Sequence, residues 1–194
     1  MIRVEKITKN YGNNKGIYNL CMECSEGEVV SFIGPNGSGK TTSLKGIAGL
    51  LKLENGYVLL DGKNTLDANT KKEIGYLPQR LNFSPNMTGY ELIETINVLK
   101  YQRKEGACEE ELKQMFSDFD LWENRHMKLR NYSVGMRKKI GIMIALMHFP
   151  KLIILDEPTN AVDTKGIITL KEYIEEAKRR GCIVIVSSHI LDFI

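Results

Sequence analysis

The chain has 194 residues, 42% hydrophobic and 26% charged, and its 27 Lys and Arg against 24 Asp and Glu leave a formal net charge of +3. That composition excludes disordered, collagen-like and disulfide-scaffold classes, and at this length one core with at most a small sub-lobe is expected. The charge is no nucleic-acid signature. Met1 to Tyr11 holds no apolar leader, and the longest apolar stretch, Ile140 to Phe149, is about half of a membrane span, so the chain is expected to be neither secreted nor membrane-spanning.

Ile2-Arg3-Val4 and Ile17 to Met22 read as short strands around an Asn- and Gly-rich loop, Lys9 to Lys15. Cys21 and Cys24 lie three apart in the second strand, on opposite faces. A structural zinc site needs a second ligand pair, and His126, His148 and His189 are far off in sequence, so Cys21, Cys24, Cys108 and Cys182 read as free thiols of a reducing compartment. Glu28 to Ile33 is a β-rich run that ends in a glycine cluster, and Thr41 to Leu51 follows as a helix. Gly56 to Leu60 with Asp61-Gly62 suggests a strand and tight turn, and Ile74 to Leu77 a strand stopped by Pro78.

The middle of the chain is helical. Thr88 to Glu91 has capping-box spacing, followed by Leu92, Ile93, Ile96 and Leu99 at helical intervals. Leu112, Met115, Phe116 and Phe119 mark a second helix, opposite acidic Glu109, Glu111 and Asp118. A third starts after Ser133 and runs to Phe149, ended by Pro150. Thr88 to Phe149 is therefore an expected helical insertion in an α/β frame. The frame resumes with a strand at Leu152 to Leu155, a helix at Thr164 to Arg180 closed by Gly181, and a strand at Cys182 to Val186. Such continuous apolar strands imply a parallel sheet covered on both faces.

Two elements carry chemistry. Gly34, Pro35, Asn36, Gly37, Ser38, Gly39, Lys40 and Thr41, followed by Thr42, fit G-x-x-x-x-G-K-[ST] between an apolar strand and a helix start. The glycines let backbone N–H groups turn inward as an anion nest, and the helix N-terminus adds its positive dipole end. Lys40 would reach the β- and γ-phosphates of a nucleotide, and the Thr41 hydroxyl would ligate Mg²⁺. The second element is an apolar strand that delivers Asp156 and Glu157 at its C-terminal end, which in a parallel sheet faces the ligand crevice. Asp156 is placed to hold Mg²⁺, and Glu157 to polarise an attacking water.

These residues, taken in order, resemble the nucleotide-binding domain of ABC transporters. Tyr11 stands where that family places an aromatic that stacks on adenine, and Gln79 follows a strand like the family's glutamine loop. Asn160 to Asp163 looks like the D-loop, and His189 after Ser187-Ser188 like the switch histidine. The family's Leu-Ser-Gly-Gly-Gln signature stands here as Tyr132-Ser133-Val134-Gly135-Met136, so Ser133 and Gly135 match while Val134 and Met136 replace a glycine and a glutamine. Ser133 at a helix N-cap, with the N–H groups around Gly135, suits a γ-phosphate.

The resemblance implies an α/β P-loop NTPase fold. Residues 1–87 and 150–194 would form a RecA-like parallel-sheet core with an N-terminal antiparallel β subdomain, and residues 88–149 an α-helical subdomain. It implies ATP and Mg²⁺ as ligands, with Glu157, His189 and Gln79 catalytic. Thr41, Gln79 and Asp156 would hold the metal, and Tyr11, Gly34 to Thr42, Ser133, Gly135 and Asp163 the nucleotide. The signature serves ATP bound to another protomer, so the implied partners are a second ATPase protomer and a separate membrane permease, met at the cytoplasmic face, with Phe83, Pro85, Met87, Tyr90 and Tyr101 as candidate apolar contacts or, equally, core residues. Nucleic acid is not an expected partner, because Arg137 to Lys139 sit on the signature helix and Arg179-Arg180 close another helix. Family members continue with more strand and helix beyond the switch histidine, so Ile190, Leu191, Phe193 and Ile194 are expected to end in an unfinished core. The short insertion and the altered signature resemble ATPase subunits of small bacterial export systems. The competing readings are a soluble non-transport ABC-type ATPase and a regulator that binds nucleotide without turnover; Glu157 and His189 argue against the latter.

Overall fold

Two kinds of hydrophobic pattern build two kinds of sheet. The computed structural model describes residues 1–13, 15–102 and 109–188. In chain order its elements are β1 (Ile2–Asn10), β2 (Gly16–Cys24), β3 (Val29–Ile33), α1 (Lys40–Ile47), β4 (Asn55–Leu60), β5 (Lys63–Asn64), α2 (Ala68–Lys72), β6 (Ile74–Leu77), α3 (Gly89–Tyr101), α4 (Glu109–Asp118), α5 (Val134–Leu146), β7 (Leu152–Asp156), α6 (Thr164–Arg179) and β8 (Ile183–Ser188).

Alternation of buried Ile2 and Val4 with exposed Arg3 suits a sheet covered on one side. These strands form the antiparallel order β2-β1-β4-β5. The uninterrupted apolar strands form the parallel order β3-β8-β7-β6, with β7 and β8 buried at every position. Side chains alternate across that sheet: Ile153, Leu155, Val184 and Val186 join the helical side with Phe116, Phe119 and Ile140. Leu152, Ile154, Ile183 and Ile185 join the opposite side with Ile2, Val4, Leu44 and Ile47. The fold is that of a P-loop NTPase, with the antiparallel sheet and α1 on one face of the parallel sheet and α3 to α6 on the other.

The helical segment is not a separate ball with its own core. Its α5 lies directly against β6, where a Cβ on Gly75 would sit 1.9 Å from the Ala145 carbonyl oxygen and one on Gly141 2.7 Å from Leu77 Cδ1. A side chain at Gly75 would meet the Ala145 backbone and push helix and sheet apart, whereas one at Gly141 would have to displace the Leu77 and Leu81 side chains. At the other end, Asp61 in the β4–β5 turn accepts from the chain's amino terminus at 2.7 Å and from Lys151, at the entry to β7, at 2.8 Å.

Several boundaries differ from the sequence reading. β1 runs on to Asn10, where a loop from Lys9 was expected, because β2 pairs with it to the end, Lys9 with Ile17 and Asn10 with Gly16. Helix α1 stops at Ile47 rather than Leu51: Gly49 has φ +66, and its Cβ position is filled by the Thr65 carbonyl oxygen at 2.2 Å. Helix α5 ends at Leu146, since His148 and Phe149 take φ +62 and +48. The Thr88 capping box is present, but the buried stripe of α3 is Ile93, Glu94 and Asn97, and Leu99 is 73% exposed. Strand β3 lies at the sheet edge with Ile33 half exposed, so cover on both faces holds for β7 and β8 but not for β3. The short β5 and α2 carry no pattern long enough to read in sequence.

Among the described residues no helix is long and apolar enough to cross a membrane. Phe116 is fully buried in the cluster that joins α4 to the sheet. Phe116→Ala should therefore lower unfolding free energy by about 3–5 kcal/mol. Urea denaturation should show a reduced midpoint with an unchanged slope, and a loss under about 1 kcal/mol would mean this cluster does not hold the helices down.

Candidate functional site

The glycine loop joins the end of β3 to the start of α1. Gly37 and Gly39 take φ +83 and +95, a region nearly closed to side chains, and nothing lies within 4 Å of a Cβ at Gly37. Helix α1 is capped by Gly39 without a side-chain bond, which leaves the dipole end of the helix to a ligand. The Lys40 ammonium folds back over the loop and donates to the carbonyl oxygens of Gly34 at 2.5 Å and Pro35 at 3.1 Å. A cavity of about 720 Å³ opens beside it, lined in part by Ile17, Tyr18, Ser38 and Lys40.

Asp156 and Glu157 arrive at the same place from β7. Glu157 Oε1 lies 3.9 Å from Lys40 Nζ, with both side chains largely buried. The backbone at Glu157 has φ +51, a left-handed conformation rare for a non-glycine residue and common where strain serves a site. Between the acids stands Ser187 of β8. Its hydroxyl donates to Asp156 Oδ1 at 2.7 Å and accepts the Glu157 N–H at 2.9 Å. Among the described residues the second Asp156 oxygen, Oδ2, is buried without a hydrogen-bond partner. The Tyr76 phenol oxygen is likewise buried without a hydrogen-bond partner among the described residues, and burial, then the Asp156 charge, holds its ionisation well above the usual tyrosine range.

The basic run after the signature is not a solvated helix face. Lys138 and Lys139 are buried, and each has a partner in the site. Lys138 Nζ donates to the Asp156 carbonyl oxygen at 3.2 Å, and its ionisation falls to about 8 because burial outweighs the attraction of Asp156 and Glu157. Lys139 Nζ pairs with Asp163 Oδ2 at 2.9 Å, while Asp163 Oδ1 caps α6 through the Gly166 N–H at 2.8 Å. Arg137 donates to the carbonyl oxygens of Tyr132 at 2.8 Å and Leu129 at 3.3 Å. The electrostatics read from sequence as simple helix chemistry are thus struts from α5 to the acidic strand and the next loop. The signal was Lys138-Lys139 beside the apolar run Ile140 to Leu146, where a lysine has to be buried or leave the helix's packed face.

The remaining sequence-assigned residues fall into two groups. Ser133 is an exposed N-cap of α5 whose Oγ accepts the Met136 N–H at 3.1 Å, and Val134 beside it is 65% exposed. Gly135 has a tighter constraint, since a Cβ there would sit 2.5 Å from the Ala161 carbonyl oxygen, and Ala161 itself takes φ +65. Signature and D-loop-like segments therefore touch within one chain. Tyr11 and Gln79 lie exposed in loops, Thr41 and Thr42 are half-buried in the first turn of α1, and His189 lies outside the described residues. Phe83, Met87, Tyr90 and Tyr101 pack half-buried against the core rather than forming an open apolar face.

The donor set tests the expected metal. Thr41, Gln79 and Asp156 offer hard oxygen atoms, and an orphaned buried carboxylate oxygen on Asp156 is what a Mg²⁺ shell or its water would satisfy. Among the described residues no group of three or more His, Cys, Asp and Glu side chains could hold a metal ion. Cys21 is exposed and Cys24 buried, so they do not make a zinc pair.

Comparison with known proteins gives consistent matches. The ABC transporter family model matches residues 17–160. The ABC transporter ATP-binding protein YhcH of Bacillus subtilis is 35% identical over 98% of the chain, which spans 62% of that relative's length. The lantibiotic transport ATP-binding protein SrtF of Streptococcus pyogenes is 31% identical over 98% of this chain and 81% of its own. A dimeric post-hydrolysis structure of the ATP-binding cassette MJ0796 bound to ADP and Pi superposes with a TM-score of 0.88 at 28% identity, covering all of this chain and 90% of that one.

The Lys139 contact, then the Gly166 N–H, holds the Asp163 carboxyl below its ordinary 3.8. Its folded pKa is the lower one, so its contribution is complete above pH 3.8 and is lost as pH falls through the folded value. Asp163→Ala should cost at least about 1 kcal/mol, the lost helix cap together with the loss of the carboxylate that partners the buried Lys139 ammonium. Thermal melts of both proteins should differ by a constant amount at neutral pH and converge in acid; a gap that widens in acid would refute the assignment.

Proposed function

This chain belongs to the ABC transporter family, and we propose that it is the ATP-hydrolysing subunit of a transporter, working as a dimer on a separate membrane permease. The observation that carries this reading is the 3.9 Å approach of Lys40 to Glu157, which brings the phosphate-loop cation and the candidate base into one buried site. In this reading residues 1–87 and 150–194 hold the nucleotide, and the helical subdomain 88–149 passes movement to the permease.

ATP enters with its base against Tyr11 and its phosphates in the loop Gly34 to Thr42. Lys40 exchanges the carbonyl oxygens of Gly34 and Pro35 for the β- and γ-phosphate oxygens, a favourable swap of neutral acceptors for charged ones. Mg²⁺ held by Thr41, Gln79 and Asp156 would offset the negative charge that builds on the β- and γ-phosphate oxygens. Glu157 accepts a proton from water as the water oxygen bonds to the γ-phosphorus and the bond to the bridging oxygen breaks, yielding ADP and phosphate. His189 and Gln79 contact the γ-phosphate and the water. Ser133 and the N–H groups near Gly135 reach the γ-phosphate of ATP held by the partner protomer, so ATP joins two half-sites and its hydrolysis releases them. The altered signature and the likeness to a lantibiotic transport protein support export as the direction and the cytoplasmic face of the membrane as the place of work.

Lys40→Ala should weaken ATP binding at least about a hundredfold, and unchanged affinity by calorimetry would sink the phosphate-loop assignment. Glu157→Gln should bind ATP, lose turnover by about a hundredfold or more and run as an ATP-dependent dimer on size exclusion. Near-normal phosphate release by that variant would remove Glu157 from the role of base.

A further inference from the structure

We propose that Ser187 is a positioning residue for both acids: its one hydroxyl sets the Asp156 orientation that leaves Oδ2 toward Mg²⁺ and tethers the Glu157 backbone. This inference rests on the ATP reading above and assigns a role that the sequence resemblance does not give to this position.

The geometry removes the usual freedom of a hydroxyl. Ser187 is fully buried and stands directly opposite Asp156 in the parallel register of β7 and β8. The Glu157 N–H is a donor only, so the serine oxygen must accept it, at 2.9 Å. The single hydroxyl proton is then committed to Asp156 Oδ1, at 2.7 Å. A carboxylate has two oxygens, and with Oδ1 engaged by Ser187, Oδ2, which has no hydrogen-bond partner among the described residues, is the one left for a metal shell. A charge-assisted bond to a buried anion is among the stronger hydrogen bonds a side chain makes.

The same oxygen secures the base. Glu157 takes φ +51, which no side-chain preference favours, so its backbone needs an external tether. The Ser187 contact supplies one at the first atom of the residue. Metal ligand and base are thereby held to a common reference point on the central strand of the site, since β8 lies between β3, which leads into the phosphate loop, and β7. Removing the hydroxyl takes away the acceptor of the Glu157 N–H and the donor to Asp156 Oδ1, so metal affinity and turnover should fall together while contacts of the nucleotide with the loop persist.

The test measures ATP affinity by calorimetry in Mg²⁺ and in EDTA, alongside thermal midpoints, for the wild-type chain and for Ser187→Ala, Ser187→Cys and Ser187→Thr. Wild type should bind ATP more tightly with Mg²⁺. Ser187→Ala should keep its EDTA affinity within about twofold yet lose about tenfold of the Mg²⁺ enhancement, and the Mg²⁺ concentration for half-maximal turnover should rise by a similar factor. Ser187→Thr, which keeps the hydroxyl on a strand-favouring side chain, should recover most of the enhancement. A folded alanine variant with wild-type Mg²⁺ enhancement would overturn the assignment. Should that variant fail to fold, Ser187→Cys makes the same comparison at nearly constant volume, and full enhancement there would overturn it equally. A wild-type chain that binds no ATP in either condition would overturn the ATP reading itself, a result distinct from loss of the Mg²⁺ effect in the variants alone.

Discussion

The parallel pairing of β7 with β8 is the constraint on which the site depends. Every residue of both strands is buried, so a one-residue slip would exchange side chains between two differently packed cores and carry Asp156 away from Ser187. That register puts Asp156 beside Ser187 and, through β3 on the far side of β8, sets the acids against the glycine loop. A carboxylate with no exposure is expensive to keep charged unless its environment offers donors or cations. Ser187 contributes a donor, and Lys40 and Lys138 bring positive charge to the same corner.

Close backbone approach is the second requirement. Gly75 and Gly141 let α5 lie on β6, and Gly135 lets the start of the same helix meet Ala161. One helix therefore touches the sheet, the acidic strand through Lys138 and the loop before α6 through Lys139. Ser133 stands at the exposed end of α5, the helix whose buried lysines reach the Asp156 carbonyl oxygen and the Asp163 carboxylate. Packed contacts of this kind shift between discrete arrangements rather than deform smoothly, which suits coupling between the signature and the acids.

Much of this was legible in the amino-acid order. The spacing of Gly34, Gly39, Lys40 and Thr41, the apolar run into Asp156 and Glu157, and the capping box at Thr88 are local patterns, and local patterns fix local structure. They also identify the phosphate loop without knowledge of its neighbours, because an anion nest needs only glycines and a helix start. Chain order then carried the resemblance that assigns Tyr11, Gln79, Ser133 and Asp163.

The tertiary structure decided what depends on residues distant in sequence. Ser187 and Asp156 are 31 positions apart, Lys138 and the Asp156 carbonyl 18, Lys139 and Asp163 24. No periodicity relates such pairs; only strand order and helix packing bring them together. The same holds for the buried stripe of α3, where Glu94 and Asn97 stand inside and Leu99 outside, because the surface that a helix buries is chosen by its neighbours and not by its own hydrophobicity. Sequence by itself determined the chemistry available, a phosphate loop and two acids at a strand end. The fold determined which atoms of those groups are already engaged and which, like Asp156 Oδ2, are left to act, since hydrogen-bond satisfaction is a property of the packed interior.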